Sequence, residues 1–230
     1  MNPADPDIAT VAAAIGQPAR ASMLCALLAH APLSVNELAH IGNVSPATAS
    51  LHLARLANAN LVTGHRSGRT HHYRLASVEV AYALESLQRL AQPAPIRSLA
   101  GSRAAQHIRF ARSCYDHLAG RLGVAITNGL IDHGYLRVGP DAFFLTPDGE
   151  RWLTSIRVDT TVLRSARRGL ALSCLDWSER RPHVAGAVGA ALLHRSLDAG
   201  WVSRRPATRA LRLTPVGART FRRELGLEIQ

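Results

Sequence analysis

The chain has 230 residues and a mass of 24.7 kDa, enough for one large domain or two small ones, and 47% of its residues are hydrophobic. It carries 27 lysine plus arginine residues against 16 acidic ones, a formal charge of +11, and all 27 are arginine. This charge favours a polyanionic partner such as nucleic acid, although GC-rich coding also enriches arginine. With no apolar run of membrane-spanning length and no basic segment before the N-terminal apolar stretch, we expect a cytoplasmic protein. Three widely spaced cysteines predict reduced thiols rather than a disulfide framework.

A segment with two prolines divides the chain. Pro93 and Pro95 remove backbone donors and disfavour helix at the residues before them. We therefore predict an N-terminal domain over residues 1–92, a linker over 93–98 and a C-terminal domain over 99–230. The predicted fold class is mainly α with small β-hairpins.

The N-terminal domain is predicted to contain five helices and one strand pair. The helices are expected at 7–15, 18–30, 35–40, 45–59 and 78–91, and the strands at 61–66 and 71–75. Ser34 precedes Glu37 with the spacing of a capping box, and Ser45 followed by Pro46 is typical of a helix start. The apolar positions Leu51, Leu53, Leu56 and Leu61 continue the pattern from the fourth helix into the following strand.

Helix, turn, helix and then a basic hairpin is the order of a winged helix-turn-helix, whose second helix of the pair enters the DNA major groove. The predicted recognition helix begins at Ser45, and its short or polar side chains would let it approach the bases. The predicted DNA contacts are Ser45, Pro46, Thr48, Ser50, His52 and Arg55 on the helix and Arg66, Arg69, His71, His72 and Arg74 on the wing. A helical domain whose arginines are merely solvated is the alternative interpretation.

Several stretches carry a family resemblance: Leu33-Ser-Val-Asn-Glu-Leu-Ala39, Val44-Ser-Pro-Ala-Thr-Ala-Ser-Leu-His-Leu-Ala-Arg-Leu56, Asn60-Leu-Val62 and Gly68-Arg-Thr-His-His-Tyr-Arg-Leu75. Together they resemble the ArsR-type winged-helix transcriptional regulators over about residues 8–92. The resemblance implies a homodimer, usually a repressor that leaves its operator when an effector binds. It also implies that the last helix packs on its partner, and Val80, Leu84, Leu87 and Ala91 form an apolar seam there.

The chain departs from that family at both of its familiar metal sites. Metal sensors of the family often carry Cys-x-Cys in the third helix, where this chain has Val35-Asn36-Glu37-Leu38. The Asp and His ligands of the last helix are also missing between Val78 and Gln92. An effector is therefore expected to bind in the C-terminal domain.

The C-terminal domain contains an internal duplication. Residues 117–136 align without gaps to residues 183–202, and Leu145-Thr-Pro-Asp-Gly149 corresponds to Leu213-Thr-Pro-Val-Gly217. Each copy predicts a helix ended by a glycine, a short hairpin and a new helix, so we expect a tandem winged-helix-like repeat about a pseudo-twofold axis. The paired glycines of the two helices are interpreted as sites of close packing between the duplicated helices.

Metal-ligating residue types recur at related positions of the two copies. They are Cys114, Asp116 and His117 in the first and Cys174, Asp176 and His183 in the second. Cys114 and His117, three residues apart, can share one helix face. If the two copies meet, a tetrahedral Cys₂His₂ site for a divalent transition metal such as zinc results, with the aspartates orienting the histidines. Six additional residues between Asp176 and His183 disturb strict symmetry.

Other interpretations of these residues stay open. Duplicated folds keep duplicated core residues, and the aspartates suit helix N-caps. An organic ligand is a further possibility, with a pocket lined by Tyr115, Tyr135, Trp177 and Trp201. Oxidation of Cys114 and Cys174 to a disulfide would make a thiol sensor.

No motif for catalysis accompanies these residues: the sequence has no phosphate-binding glycine loop, nucleophile motif or zinc-protease helix. We therefore expect a protein that is not an enzyme. The remaining alternative to a regulator is a constitutive architectural DNA-binding protein whose C-terminal domain is purely structural.

Overall fold

The computed structural model describes residues 5–28, 32–68, 70–92, 99–166, 168–206 and 208–229. The chain forms two compact units, Met1–Leu87 and Gln88–Gln230. The predicted linker at 93–98 lies outside the described residues, as does Arg69 of the predicted wing.

The N-terminal unit follows the predicted order of elements. They are α1 (Ile8–Ile15), α2 (Pro18–Leu27), β1 (Leu33–Ser34), α3 (Val35–Gly42), α4 (Pro46–Asn58), β2 (Val62–Ser67), β3 (Thr70–Leu75) and α5 (Val78–Leu90), which extends past the unit boundary. Strand β1 is an addition to the prediction and pairs with β3, giving the sheet order β1-β3-β2. The last predicted turn of α2 reaches residues that are not described.

Local side-chain caps explain where α3 and α4 begin. The Ser34 hydroxyl accepts from the Glu37 backbone N–H, and the Glu37 carboxylate accepts from the Ser34 backbone N–H, which confirms the capping box. Between the helices, Asn43 adopts a left-handed conformation (φ 51°) that ends α3. The Ser45 hydroxyl then caps α4 at the Thr48 N–H (3.1 Å), and Pro46 occupies the first turn.

The core of this unit is aliphatic. Leu53 and Leu56 of α4 are fully buried with Met23, Leu24 and Leu38 of the two preceding helices. Leu51, in contrast, is 68% exposed on the opposite face of α4.

The C-terminal unit begins with α6 (Leu99–Phe110) and then repeats one arrangement of elements. The first copy consists of β4 (Arg112–Cys114), β5 (His117–Ala119), α7 (Gly120–Asp132), β6 (Leu136–Val138), β7 (Phe143–Leu145) and α8 (Pro147–Ser155). After α9 (Thr160–Ser165), the second consists of β8 (Leu172–Leu175), β9 (Pro182–Ala185), α10 (Gly186–Asp198), β10 (Val202–Arg204), β11 (Leu211–Leu213) and α11 (Pro215–Leu225). The sequence duplication therefore corresponds to a structural repeat of hairpin, helix, hairpin and helix.

The two repeats exchange contacts in a pseudo-twofold manner. Helix α7 packs mainly on β9 of the second repeat, and α10 packs mainly on β5 of the first. The Leu211 N–H donates to the Ala111 carbonyl (2.8 Å), and in the related position the Phe143 N–H donates to the Ala171 carbonyl (2.9 Å). One hydrophobic core, including Leu122, runs through both repeats. Each repeat thus completes the other, as subunits do in a symmetric dimer.

The glycines within the duplicated helices serve a different contact from the one predicted. A Cβ on Gly189 would lie 2.5 Å from the carbonyl oxygen of Val184 in strand β9. Gly123 meets the Leu118 carbonyl of β5 in the same way. The interpretation as helix-to-helix packing sites is therefore wrong, because Gly123 and Gly189 approach the hairpin that precedes each helix, and Gly120 and Gly186 approach the backbone carbonyls of Arg109 and Gly169.

Candidate functional site

The exposed face of α4 is the first candidate surface. Its apolar face, with Ala49 fully buried, is anchored in the N-terminal unit, so the opposite face is presented to solvent. The exposed residues of the helix and its cap are Ser45, Pro46, Ala47, Ser50, Leu51, Ala54, Arg55 and Asn58. Most side chains on this face are small, and a guanidinium is exposed near the end of the helix. This combination suits close contact with a groove of duplex DNA.

Thr48 and His52, two predicted base contacts, are only partly exposed. The Thr48 hydroxyl lies 2.9 Å from that of Ser45, and His52 Nδ1 lies 3.3 Å from Arg20 Nη1. Burial, together with the positive charges of Arg20 and Arg55, lowers the pKa of His52, so its imidazole is neutral at physiological pH. The two side chains therefore flank the exposed face rather than forming its centre.

Leu51 is the residue of this surface that sequence reasoning missed. It lies four residues after Ala47, so the two side chains occupy neighbouring positions on the exposed face. The sequence does contain a signal for this position: Leu51 is apolar, but it shares a helix face with the polar residues of α4 rather than with Leu53 and Leu56.

The hairpin of β2 and β3 forms the second part of the surface. Its register pairs Arg66 with His71 and Ser67 with Thr70, and the side chains of Arg66, His71 and Arg74 are exposed. Arg66 Nε donates to the Gly68 carbonyl (3.2 Å), and His71 Nδ1 lies 3.2 Å from the Tyr73 hydroxyl. His72 is half-buried and stacks on His65, with ring centroids 5.8 Å apart. The wing therefore presents two described arginines to solvent beside a histidine.

Four ligating residues of the C-terminal unit meet at one point. The ligand atoms of Cys114, His117, Cys174 and His183 all lie within 4.8 Å of one another. The two Sγ atoms are 3.8 Å apart, and the Nε2 atoms of the two histidines are 3.1 Å apart. Cys114 and both histidines are buried, and Cys174 is partly exposed. We call this group the Cys–His cluster.

Strand register explains how the Cys–His cluster forms. Cys114 faces His117 across β4 and β5, and Cys174 faces His183 across β8 and β9. Directly opposed side chains lie on the same side of a hairpin, so each hairpin presents one thiol and one imidazole together. The prediction that Cys114 and His117 share a helix face is wrong, because Tyr115, with φ 58°, turns the chain back after Cys114.

The six additional residues of the second copy do not disturb this arrangement. They lie beyond the Cys174–His183 pair, in the connection between β8 and β9 and at Pro182, the first residue of β9. The cysteine and histidine of both copies therefore keep the same register, although the two turns differ in length.

Two ion pairs surround the Cys–His cluster. Asp176 Oδ2 accepts from Arg112 Nη2 at 2.8 Å and from the Gly120 N–H at 2.7 Å, and Asp116 pairs with Arg168. Asp116 Oδ1 lies 3.4 Å from His117 Nδ1, whereas Asp176 Oδ2 lies 3.8 Å from His183 Nδ1. Asp176 Oδ1 also accepts from the Ser178 N–H (2.8 Å), so this aspartate closes a turn as well.

The charges in this region shift several pKa values. Burial opposes ionisation of Asp116, but hydrogen bonds from His117 and Arg168 outweigh it and lower its pKa to about 2. Burial likewise disfavours the charged form of His117, yet hydrogen bonds to Asp116 and Cys174 raise its pKa to about 9. The hydrogen bond from Cys114, with further contributions from the histidines, lowers the pKa of Cys174 despite burial. The Cys–His cluster therefore favours a thiolate, the protonation state that binds metal ions.

The four predicted pocket aromatics pack separately. Tyr135 stacks on Trp152 (centroids 5.3 Å apart), Trp201 meets Phe221 edge-on (5.6 Å), and Trp177 lies under the Arg112 guanidinium (4.4 Å). Tyr115 occupies the β4–β5 turn. Two cavities in the described part of this unit, of about 550 and 380 Å³, have other linings. A shared aromatic pocket gains no support from these positions.

The N-terminal unit has the winged helix-turn-helix fold of DNA-binding regulators, with α4 as the second helix of the pair and β2–β3 as the wing. Residues 17–63 match the family model described as "Bacterial regulatory protein, arsR family". The chain is also 38% identical over 225 residues to the HTH-type transcriptional regulator YdfF of Bacillus subtilis (strain 168), covering 98% of this chain and 100% of the relative. The protein belongs to the ArsR family of bacterial transcriptional regulators and is a DNA-binding regulator of transcription.

Solved structures resemble a smaller part of the chain. HlyU from Vibrio cholerae N16961 is 33% identical, covers 39% of this chain and 97% of its own, and has a TM-score of 0.36. NolR from Sinorhizobium fredii is 28% identical, with coverages of 41% and 100% and a TM-score of 0.35. Among the described helices, none is both long and apolar enough to span a lipid bilayer.

Proposed function

We propose that the protein is a homodimeric repressor that binds a palindromic operator and leaves it when an effector binds in the C-terminal unit. The observation that carries the DNA-binding part is the exposed face of α4, where small side chains lie beside Leu51 and Arg55. On this proposal α4 enters the major groove, and the wing arginines contact the phosphate backbone in the cytoplasm.

Exposed apolar residues support the homodimer. Helix α1 has no buried residue, and Ile8 is 70% exposed. On α5, Leu87 and Leu90 are 45% and 81% exposed, which is costly unless another surface covers them. The predicted seam needs one correction, because Leu84 is only 5% exposed and is already buried within the chain. A twofold dimer through α5 would present two copies of α4 to successive turns of one duplex.

The effector is proposed to bind at the Cys–His cluster, and a divalent transition metal such as zinc is the leading candidate over a small organic ligand. The cluster gathers thiol and imidazole ligands from both repeats, whereas the predicted aromatic pocket is dispersed. Metal binding would change the affinity of the protein for its operator only if the ion prefers one of two states of the protein. For an effector this preference is typically about 1–3 kcal/mol.

DNA binding is tested with the full-length protein and an operator selected from random duplexes. Arg55→Ala combined with Arg74→Ala should weaken binding to all sequences and reduce the salt slope by about one unit for each phosphate that is no longer neutralised. Arg151→Ala removes an exposed arginine of α8 and is the matched control. Equal affinity and salt slope for the double variant and the wild type would refute the proposed surface.

The effector is tested in the same assay by adding Zn²⁺ to reduced, metal-free protein. A regulator of this kind changes its operator affinity about 5- to 150-fold, the usual range of allosteric coupling. Constant affinity with Zn²⁺ and after thiol oxidation would instead favour a constitutive architectural protein.

A further inference from the structure

We propose that Cys114, His117, Cys174 and His183 together bind one divalent cation of the Zn²⁺ class in a tetrahedral site, to which each repeat supplies one thiolate and one imidazole. This inference rests on the proposed function in one respect, since it specifies the chemistry of the proposed effector. The site itself can be tested without DNA.

The distances between the ligand atoms already match a tetrahedral ion. With Zn–S near 2.3 Å and Zn–N near 2.0–2.1 Å, tetrahedral angles require about 3.8 Å between two sulfurs and about 3.3 Å between two nitrogens. The corresponding distances are 3.8 Å between the Sγ atoms and 3.1 Å between the Nε2 atoms. An ion could therefore bind with shifts of a few tenths of an ångström.

The facing imidazoles also point to a cation. His117 Nδ1 lies 3.4 Å from Asp116 Oδ1, which favours the tautomer with its proton on Nδ1 and a lone pair on Nε2, whereas His183 Nδ1 lies 3.8 Å from Asp176 Oδ2, too far for a hydrogen bond. The two Nε2 atoms face each other at 3.1 Å, an arrangement that places either a proton or a cation between them. Within the described residues, His183 Nδ1 is buried without a hydrogen-bond partner, and Nε2 of the same ring faces His117.

The charges around the Cys–His cluster are already balanced, so the site can accept a divalent cation together with two thiolates. Asp116 is neutralised by Arg168, and Asp176 by the fully buried Arg112. Two thiolates and a divalent cation then add no net charge to the buried region, which avoids the large cost of an unbalanced buried charge. On binding, the protons held by the thiols and on the Nε2 side of the imidazoles leave to solvent, and each sulfur and each Nε2 forms one bond to the ion.

A disulfide fits the same atoms less well. The Sγ–Sγ distance of 3.8 Å would have to shorten by about 1.8 Å to reach the bond length of about 2.05 Å. Strand pairing within each hairpin and backbone hydrogen bonds between the repeats hold both hairpins in place. A disulfide would also leave both histidines unused, so we retain it as an outcome of the test.

The site is tested on the full-length protein, reduced and stripped of metal under anaerobic conditions, with Co²⁺ as the spectroscopic probe. We expect one Co²⁺ per chain, the intense visible absorption of tetrahedral coordination and thiolate-to-metal charge-transfer bands, all lost on displacement by one equivalent of Zn²⁺. Cys114→Ser and Cys174→Ser should each remove part of the charge-transfer absorption and weaken Co²⁺ binding more than 100-fold. Asp116→Asn changes a residue that does not bind the ion directly, and it should weaken binding by about 10- to 100-fold. Cys25→Ser, a cysteine of the N-terminal unit, is the control and should bind like the wild type.

Folding of each variant is followed by circular dichroism, and a second readout is the thermal unfolding midpoint. Zn²⁺ should raise the midpoint of the wild type and of Cys25→Ser but not that of the Cys114→Ser, Cys174→Ser double variant. Absent or octahedral Co²⁺ absorption in protein whose thiols are reduced would overturn the proposal. A Cys114–Cys174 disulfide that forms in air, with no Co²⁺ binding after its reduction, would overturn it in favour of thiol sensing. Either failure leaves the DNA-binding assay of the proposed function unaffected, so the two can be told apart.

Discussion

Arg112 and Asp176 form an ion pair of 2.8 Å in which neither side chain is exposed to solvent. The pair joins the first strand of one repeat to the hairpin of the other, and the Arg112 guanidinium also lies over the Trp177 ring. The remaining oxygen of the carboxylate accepts from Ser178, so both charges have further partners. A buried pair with these partners holds the two repeats in one arrangement beside the Cys–His cluster.

Asp176→Asn should therefore destabilise the C-terminal unit by about 3–5 kcal/mol, because it leaves the arginine charge buried without its partner. Burial opposes ionisation of Asp176, but Arg112 and the hydrogen bonds from Ser178 and Gly120 place its pKa well below the usual value. A depressed pKa stabilises the fold above the unfolded-state value of about 3.9 and loses that effect as the pH falls through the folded-state value.

Urea unfolding of wild type and variant at pH 7 measures this difference. Arg151→Ala breaks an exposed pair with Asp148 and should change stability by less than about 1 kcal/mol. If Asp176→Asn is as stable as Arg151→Ala, the buried pair does not hold the repeats together.

Gly217→Ala tests the close contact at the start of α11. A Cβ at Gly217 would collide with the backbone carbonyl of Trp201, and Gly149 meets the Tyr135 carbonyl at the related position of the first repeat. Because a backbone carbonyl cannot rotate away as a side chain can, we expect a loss of about 1–3 kcal/mol. Val216→Ala, at a 46% exposed position next to it, should have little effect. Denaturation midpoints that match for the two variants would contradict this contact.

The sequence predicted elements well where the signals were local. The capping box of Ser34 and the cap at Ser45 fixed the starts of two helices, and threonine followed by proline did so at Thr146 and Thr214 in both repeats. Each of these signals acts over three or four residues, so no tertiary contact was needed to recognise it.

Prediction failed where tertiary contacts decide. The spacing of Cys114 and His117 suits a helix face, but the turn at Tyr115 places them on two strands. The identity of the four ligating residues was predictable from the duplication, whereas their meeting depends on how one repeat packs on the other. Leu84 was likewise assigned to the dimer seam although it is buried within the chain, because helical periodicity does not reveal which of two apolar stripes is covered.

Leu87→Glu should weaken the proposed homodimer, since it places a charge in an apolar contact of α5 where Leu87 is 45% exposed in the single chain. Sedimentation equilibrium should show a dimer for the wild type and a concentration-dependent shift to monomer for the variant. Val138→Glu changes a more exposed apolar residue, 66% exposed on β6, and is the control. Dissociation of the Val138 variant alone would move the dimer interface to the C-terminal unit.

Leu51 is predicted to contact a thymine methyl group, because its side chain is 68% exposed on the face of α4 that is proposed to enter the major groove, where apolar side chains contact that methyl. Replacing the contacted thymine by uracil removes only the methyl and should cost the wild type about 0.8 kcal/mol, roughly fourfold in affinity. Leu51→Ala should bind the thymine and uracil operators about equally, whereas Arg55→Ala should keep the difference and show a reduced salt slope. Scanning each thymine of the selected operator in turn locates the position. If replacing thymine by uracil lowers the affinity of the wild type and of Leu51→Ala equally at every position, Leu51 does not contact the bases. The exposed Arg55 would then be the main contribution of α4 to DNA binding.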